Sequence, residues 1–304
     1  MSTDNSNTTV AFIGLGIMGA PMAGHLVDAG YQVVGYNRSR PAVDRLVAKG
    51  GRAAGSAAEA VRDADVVITM VPDSPDVEEI TLGEDGIYAA VKPGLLHIDC
   101  STIRPDVARQ IAEAGARKGI RVVDAPVSGG EAGAVEGVLS VMVGGAPDDV
   151  QAALPYLNAV GKTIVHVGPA GAGQTVKAAN QLIVAGNIAL VAEALVFLEA
   201  HGVDTEAATE VLAGGLAGSA VLNRKAAGMR AREFAPGFRI DLHHKDLGIV
   251  TAAAREAGVA IPLGALVAQL VGALRAQGHG GLDHSALLLL VEQLSGRSAT
   301  GKRG

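Results

Sequence analysis

Cysteine is almost absent: Cys100 is the only one among 304 residues, so no disulfide can close within the chain and nothing in it points to an oxidising compartment. Tryptophan is missing and aromatic residues make up 3% of the chain, which removes the material of a base-stacking platform for single-stranded nucleic acid. Positive charge is not in excess either. Lys and Arg number 25 against 31 Asp and Glu, and the formal net charge of −6 offers no footprint for a phosphate backbone. Nucleic acid is therefore not an expected partner. No H-E-x-x-H or Cys/His spacing calls for a metal, and no G-x-S-x-G elbow marks a hydrolase nucleophile. The longest apolar stretch, residues 182–200, is interrupted by Asn187, Glu193 and Glu199, so it is expected to be a packed helix and no membrane span is expected. Residues 1–9 are polar and carry Asp4 in place of a basic and then apolar leader; the expected setting is the cytoplasm.

What the chain has is core. Hydrophobic residues reach 49% and charged residues 18%, values of a globular protein, and the length suits two domains. From residue 10 to about 167, short apolar runs alternate with helical segments: 10–14, 31–36, 66–70, 95–99, 121–124, 138–143 and 163–167. Runs such as Val66-Val67-Ile68-Thr69-Met70 suit parallel strands buried on both faces, so an α/β Rossmann domain with a doubly wound, mostly parallel sheet is expected. Past Gly171 the strand signal stops. Residues 174–201 hold no proline and one interior glycine, which predicts a single helix about 40 Å long at 1.5 Å per residue. Shorter helices follow, punctuated by Gly214-Gly215, Pro236-Gly237, Pro262 and Gly280-Gly281. The expected organisation is a disordered tail at 1–8, a cofactor-binding domain at 9–170, an interdomain helix at 171–201, an all-α domain at 202–297 and a flexible tail at 298–304.

Gly14, Leu15, Gly16, Ile17, Met18 and Gly19 match G-x-G-x-x-G directly after the first apolar run and before a helical stretch. In that context the glycines allow a tight turn, close approach to a pyrophosphate and close helix packing, with the helix N-terminus facing the anion. After the second strand, NAD-binding versions carry an acid for the ribose 2′-hydroxyl. Here Asn37, Arg38, Ser39 and Arg40 stand there, neutral and cationic donors suited to a 2′-phosphate, so NADP(H) is expected in preference and NAD(H) is the alternative. The arginines also suit a solvated helix start. Met70, Val71 and Pro72, and then Ser101 and Thr102, close two further strands at the edge where ligands lie in such sheets, although as isolated segments they equally suit ordinary loops.

Asp124-Ala125-Pro126-Val127-Ser128-Gly129-Gly130 also follows a strand; its hydroxyl and paired glycine amides could seat a carboxylate, although the spacing by itself equally suits a plain turn. On the long helix Gln174, Lys177, Asn180 and Gln181 share a face. A lysine among Val176, Ala178 and Ala179 is expected to be partly desolvated, which would bring its amine toward the range useful for acid catalysis; the residues alone suit a solvated lysine as well.

Taken together, the segment 14–22, the segment 124–130, the segment 173–181 and Lys245-Asp246-Leu247 resemble the four signatures of the β-hydroxyacid dehydrogenases. The resemblance implies a Rossmann domain, a long interdomain helix and a helical domain that takes part in a homodimer or homotetramer. It places the catalytic lysine at Lys177, the substrate carboxylate at Ser128, Gly129 and Gly130 with Asn180 assisting, Lys245 beside the cofactor and Asp246 near the substrate. Segments 131–134, 140–145 and 281–287 are most similar to the branch that reduces tartronate semialdehyde to glycerate. Oxidation of 3-hydroxyisobutyrate or another short β-hydroxyacid is the alternative, and a cofactor-binding module without catalysis is a third. Val138 departs from the threonine common among relatives.

Overall fold

The computed structural model describes residues 5–297. The chain divides into two compact units, Met1–Lys177 and Ala178–Gly304.

The first unit is built on β1 (Thr9–Ile13), β2 (Gln32–Tyr36), β3 (Arg52–Ala53), β4 (Val66–Thr69), β5 (Leu96–Asp99), β6 (Arg121–Asp124), β7 (Val127–Ser128), β8 (Leu139–Gly144) and β9 (Gly161–Gly168). They form one sheet in the order β3-β2-β1-β4-β5-β6-β8-β7, with β9 also paired to β8. From β3 to β6 all pairings are parallel; β8 runs antiparallel to β6 and β7 and parallel to β9. This is the doubly wound, mostly parallel Rossmann fold. Two strands escape the apolar-run reading, β3 and β7, because two residues are too few to display a period.

Strand side chains alternate between two buried faces. Val10, Phe12, Ile68 and Ile98 pack with Met22 and Leu26, whereas Ala11, Ile13 and Val67 pack on the other side with Ile87, Ile103 and Ile111. Burial on both faces is why these strands read as unbroken apolar runs. The register then levels their carboxyl ends: Ile13 pairs with Tyr36 and with Thr69, Thr69 with Asp99, and Asp99 with Asp124. The five loops that follow leave from one edge, and β1, flanked by β2 and β4, is the switch point at which doubly wound sheets bind ligands.

The described part of the expected N-terminal tail is not frayed. Asn5 Nδ2 donates to the Ala29 carbonyl at 2.9 Å, Thr8 N to the Asn5 carbonyl at 3.1 Å and Gln32 Nε2 to the Ser6 carbonyl at 2.6 Å, so residues 5–8 form a turn tied to the sheet. The rest of that tail, 1–4, and the expected tail 298–304 lie outside the described residues.

The long helix spans Ala172–Ala200. By length and composition it could cross a membrane, since Asn187, Glu193 and Glu199 do not lower its hydropathy enough to exclude that; 39% of its most apolar window is buried. Ala185, Ile188, Ala192 and Leu195, at helical spacing, belong to the core of the second unit. That core is completed by helices Thr205–Gly214, Ala220–Ala231, Ile240–Glu256, Pro262–Leu274 and Leu287–Leu294, which contribute Leu222, Met229, Leu247, Val271 and Leu288. Their starts are chemically marked: Asp204 accepts from the Glu206 and Ala207 amides, Ser219 from the Leu222 amide, and Pro262 occupies a first turn where its missing N–H costs nothing.

Candidate active site

The glycine loop leaves β1 and enters the helix Gly19–Asp28. Gly14 has φ +98°, and a Cβ there would collide with the Met70 carbonyl, so the turn excludes any other residue. At Gly16 a Cβ would meet no protein atom within 4 Å. Packing does not require glycine there, whereas close approach of a pyrophosphate to the backbone does, and on that test the loop fits a dinucleotide. Asn37, beyond β2, accepts a hydrogen bond from the Leu15 amide through Oδ1 at 3.0 Å and donates to the Ser39 carbonyl at 3.2 Å. It thus braces the loop from the end of β2. Ser39 precedes the helix Arg40–Ala48, in which Arg40 pairs with Asp44 at 2.9 Å. Arg38 is exposed as well, its side chain 81% accessible and 3.8 Å from Asp76.

The loops after β4 and β5 are stitched together. The Val71 amide, between Met70 and Pro72, donates to Ser101 Oγ at 3.0 Å, and the Ser101 amide to Asp99 Oδ1 at 3.1 Å. Beneath them Thr69 donates to Asp99 Oδ1 at 2.7 Å. Its single hydroxyl hydrogen is thereby used, so His97 Nε2–H donates to Thr69 Oγ1 at 3.0 Å and Tyr88 donates to His97 Nδ1 at 2.7 Å. Burial holds His97 neutral, its pKa down at about 3, and pushes the Asp99 carboxyl up against the pull of Ser101 and Thr69. Thr102 is bracketed: the amide of Gln174 spans its neighbours, Nε2 donating to the Ser101 carbonyl at 2.8 Å and Oε1 accepting from the Ile103 amide at 3.0 Å.

Asp124, at the end of β6, accepts from the Gly171 amide at 2.7 Å and the Gln174 amide at 2.9 Å and so caps the start of the long helix. One turn further along, Lys177 is buried, at 7% exposure, and its Nζ donates to the Val127 carbonyl at 2.7 Å. Val127 and Ser128 are β7, and the backbone then turns through Gly129 at φ +144° and Gly130 at φ +65° into the helix Gly130–Val135. Ser128, Gly129, Gly130 and Lys177 are therefore brought together. Local patterns place Ser101, Asp124 and Gln174 near the site but do not show the bonds that join them, because these partners lie 47 to 73 residues apart in sequence.

In the second unit Asn180 Nδ2 donates to Gln181 Oε1 at 2.7 Å, and Gln181 Nε2 to Asp246 Oδ2 at 2.6 Å. Lys245 Nζ pairs with Asp246 Oδ1 at 2.8 Å. Both oxygens of the buried Asp246 carboxylate are therefore engaged by Gln181 and Lys245 within this unit, and Gln181, to which the sequence assigned no role of its own, joins the set.

A dinucleotide loop at the switch point, and a buried lysine against a serine–glycine turn on the same sheet edge, define a nicotinamide-dependent oxidoreductase that acts on hydroxyl groups. Residues 9–168 match the NAD-binding domain of 6-phosphogluconate dehydrogenase, and residues 171–291 match the NAD-binding domain of NADP-dependent 3-hydroxyisobutyrate dehydrogenase. The chain belongs to the β-hydroxyacid dehydrogenase family. It is 40% identical over 295 residues to the NAD-dependent L-serine dehydrogenase of Pseudomonas aeruginosa, covering 95% of this chain and 99% of that one. To the 2-hydroxy-3-oxopropionate reductase of Escherichia coli it is 40% identical over 286 residues, covering 94% and 98%. Its structure matches a Mycobacterium tuberculosis 3-hydroxyisobutyrate dehydrogenase solved with L-serine, at a TM-score of 0.85 and 36% identity, covering 93% of this chain and 99% of that chain.

Proposed function

We propose that the protein reduces a small semialdehyde acid with NADPH, tartronate semialdehyde to glycerate first among the candidates. The observation that carries the reading is the buried Lys177 Nζ, 2.7 Å from the carbonyl of Val127 and so beside the Ser128 turn. Bound nicotinamide supplies the hydride in reduction and takes it in oxidation. The rest is the chain's own work. The Ser128 hydroxyl and the Gly129 and Gly130 amides hold the substrate carboxylate, which fixes the carbonyl against Lys177. The lysine ammonium offsets negative charge as it develops on the carbonyl oxygen and gives up its proton there; in the reverse direction the neutral amine accepts that proton. On the family resemblance Asn180 and Asp246 serve the substrate and Lys245 the cofactor, and the contacts of Gln181 and Lys245 support Asp246 as the group that orders Asn180 and Lys245.

The choice of substrate rests on the likeness to the E. coli 2-hydroxy-3-oxopropionate reductase. The likeness to an L-serine dehydrogenase and to a 3-hydroxyisobutyrate dehydrogenase solved with L-serine favours a second substrate of the same chemistry, a three-carbon β-hydroxyacid oxidised in the reverse direction. NADPH rests on Asn37, Arg38 and Ser39 in the place of an acid, and on the contact of exposed Arg38 with Asp76 being long, so that a phosphate can displace it. A homodimer or homotetramer is supported by exposed Ile183, Leu190 and Phe197 at seven-residue spacing on the long helix.

The deciding experiment is a side-by-side measurement of kcat/KM for tartronate, methylmalonate and succinate semialdehydes and glyoxylate with NADPH and NADH, and for L-serine with NADP+ and NAD+. Tartronate semialdehyde with NADPH is expected to lead by at least about tenfold. A lead for L-serine with NAD+ would overturn both the substrate and the cofactor assignments.

A further inference from the structure

We propose that Gln174 is a positioning residue of the reaction: its side-chain amide fixes the cofactor loop around Thr102 to the helix turn that carries Lys177. The inference rests on the reading of Thr102 as a cofactor contact and Lys177 as the proton donor.

Gln174 is 1% exposed, and its side-chain amide bonds to backbone. Both its donor and its acceptor are given to the backbone of one loop, to the Ser101 carbonyl at 2.8 Å and the Ile103 amide at 3.0 Å, one on each side of Thr102. That loop is tied on its far side to Val71 by Ser101 Oγ, 3.0 Å from the Val71 amide. The backbone of Gln174 is held by Asp124, whose strand is followed by Val127, the acceptor of Lys177. The loops after β4, β5 and β6 are thus referred to a single helical turn, and Lys177 leaves that turn on the same face, three residues on.

A primary amide is the group this place requires. One backbone partner is an acceptor and the other a donor, so the side chain must offer N–H and C=O together. A carboxylate satisfies the Ile103 amide but sets a second oxygen against the Ser101 carbonyl; protonation of that oxygen would restore the missing donor. A thioether of equal length satisfies neither. If the amide served packing alone, an isosteric replacement would lower stability and leave the chemical step unchanged. If it sets the distance between cofactor loop and lysine, the chemical step slows while ground-state binding holds, since small displacements of reacting groups cost far more in rate than in affinity.

The test uses Gln174→Glu and Gln174→Met in the full-length protein, with tartronate semialdehyde and NADPH as probes and NADPH affinity read separately by fluorescence. For Gln174→Glu we expect kcat to fall about tenfold or more at pH 8, with KM and the NADPH Kd within about threefold of the parent, and the deficit to shrink as pH is lowered and the introduced carboxyl gains its proton. Gln174→Met should lose a similar factor in kcat with no such recovery. Parental kcat in Gln174→Met, or a Gln174→Glu deficit that is the same at every pH, would overturn the inference. Should Gln174→Glu fail to fold, Gln174→Met carries the test alone. Failure of the underlying reading is separately visible: Lys177→Ala would then retain activity whatever the Gln174 variants do.

Discussion

Asp124 of the first unit and Asp283 of the second are both buried and both accept backbone amides, yet the protein moves their carboxyls in opposite directions. Burial pushes the Asp124 carboxyl up, and the amides of Gly171 and Gln174 only partly oppose it. Burial pushes Asp283 up too, but His284 when charged, Lys225 Nζ at 2.8 Å and the Ser285 and Phe238 donors outweigh it and hold the carboxyl well below the ordinary range. His284 itself is kept neutral by burial, its pKa down at about 3. The difference is a paired cation. At Asp124 the backbone dipoles do not offset the desolvation of the carboxylate, whereas at Asp283 a cation together with several donors does. The second unit has compensated its buried aspartate and uses it as a lock: Asp283 gathers residues 237, 238 and 285 around one carboxylate. In the first unit Asp124 and Asp99 are held by hydrogen bonds alone, which only partly offset their burial, at the carboxyl edge of the sheet, the pattern expected where perturbed groups serve a site.

Asp283→Ala removes the partner of Lys225 and of three backbone amides at once, so it should destabilise the protein by about 3–5 kcal/mol in urea unfolding at pH 7. Because the Asp283 carboxyl is held well below its ordinary value in the folded state, its contribution is complete above the ordinary carboxylate range and drains away below that range, until pH has fallen through the depressed folded value; the gap between parent and variant should narrow steadily in acid. A loss under about 1 kcal/mol at pH 7 would mean that the lock is not one. Next, Ser128→Ala should cost about 1–3 kcal/mol in kcat/KM for an acid substrate, the worth of a hydrogen bond to a charged group, with NADPH binding unchanged. Parental kinetics would return Ser128 to the role of a simple turn residue. The smallest effect belongs to Arg38→Ala, which should weaken NADPH roughly three- to tenfold and leave NADH as it was, the contact being exposed. Equal weakening of both cofactors would make Arg38 a solvated helix start.

The sequence told most about what is local and periodic. The apolar runs marked β1, β2, β4, β5, β6, β8 and β9 within two residues of their bounds, because strands buried on both faces cannot hide their composition. The glycine loop was legible for a similar reason, since the turn at Gly14 tolerates no side chain. What stayed hidden is long-range and polar. Nothing near Gln174 in sequence announces that its amide closes on residues 101 and 103, and Asp124 shows no sign of capping a helix that starts 48 positions later. Nor did position reveal that Asp246 is surrounded by Gln181 and Lys245. The turn at residues 5–8 escaped notice because its anchors are side-chain bonds to the Ala29 carbonyl and from Gln32.

The proposed role of Lys177 as proton donor underlies the reading of the first unit's polar edge. Its most direct test is a single-turnover measurement of NADPH oxidation by tartronate semialdehyde in Lys177→Ala, with NADPH affinity and thermal midpoint recorded on the same preparation, and with Lys177→Met, which keeps most of the apolar stem, beside it. The account predicts NADPH binding close to that of the parent and a chemical step slowed by about 100- to 10,000-fold in both variants. A folded variant that binds NADPH and reduces the aldehyde within about tenfold of the parental rate would contradict it.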